Sequence, residues 1–79
     1  MKTIYTICKG WDKPTQENIL QTVTNKREAR KEAKEWAAAL AADVVVYANG
    51  DFYGVMEFPV YLRDICKGDT SAVVINFND

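Results

Sequence analysis

The sequence contains no histidine. That removes the imidazole base of hydrolytic triads, the commonest proton shuttle and the commonest zinc ligand. Cysteine is scarce. Cys8 and Cys66 sit near opposite ends of the chain, which is no spacing for a metal box, and a small secreted scaffold would carry more of them. Both lie in an Ile-Cys-Lys-Gly tetrapeptide with unmatched flanks, and we read the repeat as coincidence and both residues as reduced thiols. The four glycines are isolated, so no phosphate-cradling loop is present. No apolar run approaches the roughly 18 residues of a membrane span. The segment Met1-Lys2-Thr3-Ile4-Tyr5 lacks the long apolar stretch of a secretory leader. Together these absences predict a cytoplasmic protein that is not an enzyme and uses no metal and no cofactor.

What is present is a capacity for a core. Of 79 residues, 48% are hydrophobic and nine are aromatic. That composition at a net charge of −1 excludes disorder and predicts one domain over residues 1–79. The small net charge conceals a split. Residues 1–42 hold eight basic and five acidic side chains, whereas residues 43–79 hold two basic and six acidic. Such a division can give the fold one basic and one acidic surface. It argues against a general nucleic-acid binder, which is basic overall.

The pattern predicts strand, strand, helix, strand, strand, short helix, strand. Lys2 to Cys8 alternates bulky side chains on both faces, as a central strand does. Gly10-Trp11-Asp12-Lys13-Pro14 is a loop. Gln16 to Thr24 reads as a second strand on its Thr-Val-Thr content. Asn25 caps a helix of about Lys26 to Ala42, with Glu28 three residues on. Ala29, Ala33, Trp36, Ala37 and Leu40 share one helix face, and the alanines let it lie close to a sheet. Val44 to Ala48 is almost wholly apolar, so it reads as buried on both faces. Asn49-Gly50 is a strong signal for a type I′ hairpin, returning through Phe52 to Phe58. On that strand Phe52, Gly54, Met56 and Phe58 are expected on one face, and Tyr53, Val55 and Glu57 on the other. Gly54 is a candidate bulge or close approach. Pro59 opens a short helix, Val60 to Cys66, with Tyr61, Leu62 and Ile65 turned inward. Ala72 to Phe77 forms the last strand, ending at Asn78-Asp79. The fold class is α+β: a two-layer sandwich of one main helix on a mainly antiparallel sheet of four to five strands, plus a short second helix.

Two sets of side chains are candidates for recognition. Trp11 lies in a charged loop, and Tyr47 to Tyr53 form the hairpin tip beside Asp51 and Glu57. Aromatics beside charges have the character of interface hot spots. We take Trp11, Tyr47, Asp51, Tyr53 and Glu57 as the expected partner-binding residues, with Trp36, Phe52 and Phe58 in the core. The acidic hairpin favours a protein partner over RNA, which wants basic neighbours around its stacking aromatics. The alternative patch is the basic helix flank Arg27, Arg30, Lys31 and Lys34, able to meet phosphates. It faces a flank of Glu28, Glu32 and Glu35 on the same helix.

The layout resembles that of small accessory proteins of phages and mobile elements, anti-CRISPR proteins among them. The likeness lies in a strand, then the helix Arg27-Glu28-Ala29-Arg30-Lys31-Glu32-Ala33, then the hairpin of Val44 to Phe58. It covers the layout of most of the chain and transfers no functional residue. The resemblance implies an inhibitor that occupies a surface of a larger host complex, such as a defence system. The alternatives are a small nucleic-acid-binding module using the basic helix flank, and a homo-oligomer, such as a homodimer, joined through an unpaired strand edge.

Overall fold

The computed structural model describes residues 2–77. They form strands β1 (Tyr5–Lys9) and β2 (Ile19–Val23), helix α1 (Lys26–Leu40), and strands β3 (Val44–Ala48), β4 (Asp51–Glu57) and β5 (Val74–Phe77). The sheet has five strands in the order β2-β1-β3-β4-β5, every neighbouring pair antiparallel. The expected end of the last strand at Asn78-Asp79 lies outside the described residues.

The helix starts where the sequence places it. The Asn25 side chain accepts from the backbone N–H groups of Arg27 and Glu28 at 2.8 and 3.2 Å, satisfying two of the donors that a helix start leaves unpaired. It stops short of Ala42. Ala41 adopts a left-handed φ of 51°, and Ala42 N–H closes the end on the carbonyl of Ala37. Glycine normally takes that position; an alanine there gave no sequence signal. Ala29, Ala33 and Ala37 are fully buried, so the helix backbone lies close to the sheet. Ile7, Val44, Val46, Met56 and Phe58 complete the core between the layers. Trp36 covers the β2 side of the helix, where its indole N–H donates to Oε1 of Gln21 at 2.9 Å.

Three expectations are corrected. The first strand begins at Tyr5 rather than Lys2, because Ile4 is held by the turn: its N–H donates to Oδ1 of Asn49 and its carbonyl accepts from Asn49 N–H. The segment after Pro59 is a 3₁₀ turn over Val60–Leu62, followed by further turns and a second 3₁₀ turn at Thr70–Ala72. In it Leu62 and Cys66 pack against the core, while Tyr61 and Ile65 point outward, 78% and 80% exposed. Residues 72 and 73 belong to that connection, and β5 starts at Val74.

The hairpin also departs from a simple alternation. A two-residue turn at Asn49-Gly50 sets Ala48 opposite Asp51 and Tyr47 opposite Phe52. The next pair is Val46 with Gly54, so one extra residue, Tyr53, is accommodated in β4. The bulge leaves Phe52 on the helix-free face and puts Tyr53 on the helix face. There Tyr53 sits between Tyr5 and Phe77, at ring-centre distances of 5.5 and 5.0 Å.

Candidate functional site

Residues directly opposite one another in a sheet share a face, and successive residues alternate. The observed register therefore maps the helix-free face in three rows. Thr22, Thr6, Tyr47 and Phe52 make the first; Ile19, Cys8, Val45, Val55 and Asn76 the second. Asp43, Glu57 and Val74 make the third, from the alternation on β3 and the pairing of β4 with β5.

Among the described residues no helix covers this face, yet Cys8, Val45 and Val55 are buried. Trp11 supplies part of the cover. Its indole N–H donates to Oδ2 of Asp43 at 2.9 Å, and its ring stacks on Phe52 with centres 6.4 Å apart and planes 17° apart. Asp43 belongs to the third row and Phe52 to the first, so the indole reaches across the second. Tyr47 meets Phe52 edge-on at 6.4 Å. The loop that carries Trp11 is itself ordered by Asn18, whose side chain accepts from Thr15 N–H at 2.6 Å and donates to the Lys13 carbonyl at 2.9 Å. At the far end of the indole, Asp43 uses its second oxygen to accept from Phe58 N–H at 3.1 Å. Trp11 and Phe52 remain 57% and 48% exposed. The result is a half-open aromatic surface with a fixed geometry.

Comparison with known proteins adds no relative: no family model matches the sequence, and neither the curated proteins nor the solved structures give a match.

Of the expected partner-binding residues, the structure unites Trp11 and Tyr47 through Phe52, the residue assigned to the core from sequence. Glu57 lies on the same face by alternation, two residues beyond Val55. Asp51 is exposed at the hairpin tip, next in sequence to Phe52. Tyr53 is separated from all of them by the bulge and is half-buried under the helix. The two residues missed, Phe52 and Asp43, carry the aromatic stack and its anchor. Asp43 was legible only as the residue that leaves the helix.

The alternative basic stripe is divided. Arg27 and Lys31 are exposed on the helix back, Lys34 is half-buried, and Arg30 lies with its guanidinium carbon 5.2 Å above the centre of the Phe77 ring. Among the described residues no group of three or more histidine, cysteine or acidic side chains is placed to hold a metal ion, and no helix is long and apolar enough to cross a membrane.

The thiols are free. Cys8 faces away from the helix under the second row, whereas Cys66 packs against the core on the helix side. Burial pushes the Cys8 thiol above its ordinary pKa, because a thiolate is poorly solvated there. Brief alkylation with iodoacetamide at neutral pH is expected to label Cys66 in the folded protein and Cys8 only after urea is added. Mass spectrometry of the digested protein reads the difference; equal labelling of both in the native state contradicts the burial of Cys8.

Proposed function

We propose that this chain is a cytoplasmic, non-enzymatic protein-binding module: an inhibitor that occupies a surface of a larger host complex such as a defence system. The observation that supports this reading is the half-open Trp11–Phe52–Tyr47 cluster on the sheet face that the helix leaves uncovered. Large aromatic rings held rigidly and left half in water lose little freedom on binding and gain the remaining burial, which is how hot-spot residues act. The border of the cluster holds Glu57 on the same face and Asp12 next to Trp11 in the loop, with Asp51 turned to the other face of the hairpin tip. That border suits a protein partner and repels a phosphate backbone. Inhibition by occupation needs no reactive group, only a shape and charge that compete for the target's own surface.

The test is capture of a complex from lysate of the host cell, followed by addition of the purified chain to that complex. The captured activity is expected to fall in proportion to the chain added. Phe52→Ala should weaken capture about tenfold or more, and Arg27→Ala with Lys31→Ala should leave it intact. Capture that is indifferent to Phe52→Ala, or a captured complex with undiminished activity, overturns the reading.

A further inference from the structure

The helix-free face also indicates what the partner presents to it. Its mapped rows contain no lysine or arginine, since Lys9 alternates to the other side from Cys8. The charges within those rows are carboxylates. Asp43 and Glu57 stand at one end, and the loop adds Asp12 and then Lys13 after Trp11; Asp51, paired with Ala48, falls on the opposite face of the hairpin tip. Asp43 spends both oxygens on the Trp11 and Phe58 N–H groups.

We propose that this face receives an arginine-bearing segment of the partner protein, with a guanidinium seated on the Trp11–Phe52 rings and paired with the neighbouring carboxylates. The inference rests on the protein-binding reading and adds the chemistry of the partner. A guanidinium is flat and weakly hydrated; it stacks on aromatic faces and offers a fork of donors to a carboxylate. A lysine ammonium is a compact, strongly hydrated point charge and gains less from the rings. The chain already uses this arrangement internally on its other face, where Arg30 lies over Phe77. A second copy of the chain is a poor occupant, because a two-fold contact through this face sets the same carboxylates against one another. Nucleic acid is excluded by the same sign of charge.

The probe is a short blocked peptide alternating arginine with alanine, compared with its lysine counterpart. Binding to the full chain is followed by calorimetry and by amide and indole NMR shifts at low and at physiological salt. The arginine peptide is expected to shift the Trp11 indole N–H and the Tyr47 and Phe52 amides, and to bind about threefold or more tighter than the lysine peptide. Asp12→Asn with Glu57→Gln should weaken it about tenfold, with amide spectra showing the fold retained. Equal binding of the two peptides, shifts confined to the helix, or no binding at about 50 mM salt each overturn the proposal. The two readings fail separately. A host complex whose capture needs Phe52 but ignores Asp12→Asn with Glu57→Gln keeps the protein-binding role and removes the arginine assignment. Selective arginine binding without any inhibited complex does the reverse.

Discussion

Replacing Gly54 by valine is expected to destabilise the fold by about 3 kcal/mol. A Cβ built on Gly54 meets Cγ of Phe77 at 2.6 Å and Cα of Phe77 at 2.7 Å. The ring can rotate away; the backbone cannot, because Gly54 and Phe77 are paired across β4 and β5. Displacing the ring also costs Tyr53 its edge contact and Arg30 its aromatic partner. Even Gly54→Ala should lose about 2 kcal/mol. That sign is informative, since an alanine that fitted would stabilise by about 0.4–1 kcal/mol through the unfolded state. Urea unfolding of Gly54→Ala, Phe77→Ala and the double variant separates the terms. The double variant should cost less than the sum of the singles, because the clash with the ring disappears while the clash with the Phe77 backbone remains. A neutral Gly54→Ala means that β5 does not cross Gly54 as described.

The same residue explains why the two faces of β4 were only partly legible. Asn49-Gly50 announces a two-residue turn, and such a turn followed by strict alternation sets Tyr53 opposite Val46. The observed partner of Val46 is Gly54. The slip leaves Phe52 and Tyr53 on the faces that the turn gives them and reverses the strand from Gly54 onward, so an alternation counted back from Met56 and Phe58 assigns both aromatics to the wrong face. The clue was there: two adjacent aromatics followed by glycine is a poor strand interior unless something lies over the glycine. What lies over it is Phe77, distant in sequence, and no local pattern names it.

Helix α1, the buried strand β3 and the hairpin itself were readable because each is fixed by neighbours in sequence: an N-cap, an apolar run, a turn dipeptide. The connection after Phe58 was not. Pro59 and the spacing of Tyr61, Leu62 and Ile65 suggested an amphipathic helix, yet the inward residues are Phe58, Leu62 and Cys66, four apart. Both spacings are helical, and the choice depends on where the segment docks. It docks against the end of α1, where Gly68 N–H donates to the Ala38 carbonyl at 2.7 Å. That hydrogen bond is tertiary. The charge split of the sequence does not divide cleanly between the two faces: the helix-free face holds Asp43 and Glu57, while the helix carries exposed Glu28 and Glu35 beside Arg27 and Lys31.

Asp43 is the point where fold and site depend on one side chain, and Asp43→Ala is expected to cost about 2–3 kcal/mol. Its carboxylate holds the Trp11 indole and the Phe58 N–H, at 2.9 and 3.1 Å, and its carbonyl accepts from Gly10 N–H at 3.0 Å. Alanine keeps the last of these and removes the first two. The Phe58 N–H is part-buried, so its lost partner is not fully replaced by water, which makes this half of the loss the larger. The Trp11 half is closer to solvent and costs less in stability. Its effect is geometric: without Asp43 the indole is tethered only by Phe52. Hydrogen exchange at Val45 and Val55 should then quicken relative to Ala33 in the helix. Trp11→Phe, which removes the indole donor and leaves Phe58 satisfied, should reproduce the faster exchange with a smaller loss of stability. Asp43→Asn should fall between the two, since one amide oxygen can still accept while the amide NH₂ confronts a donor. If Asp43→Ala and Trp11→Phe are equally mild, the Asp43–Phe58 link carries little, and the end of β4 must be held by the burial of Phe58 alone.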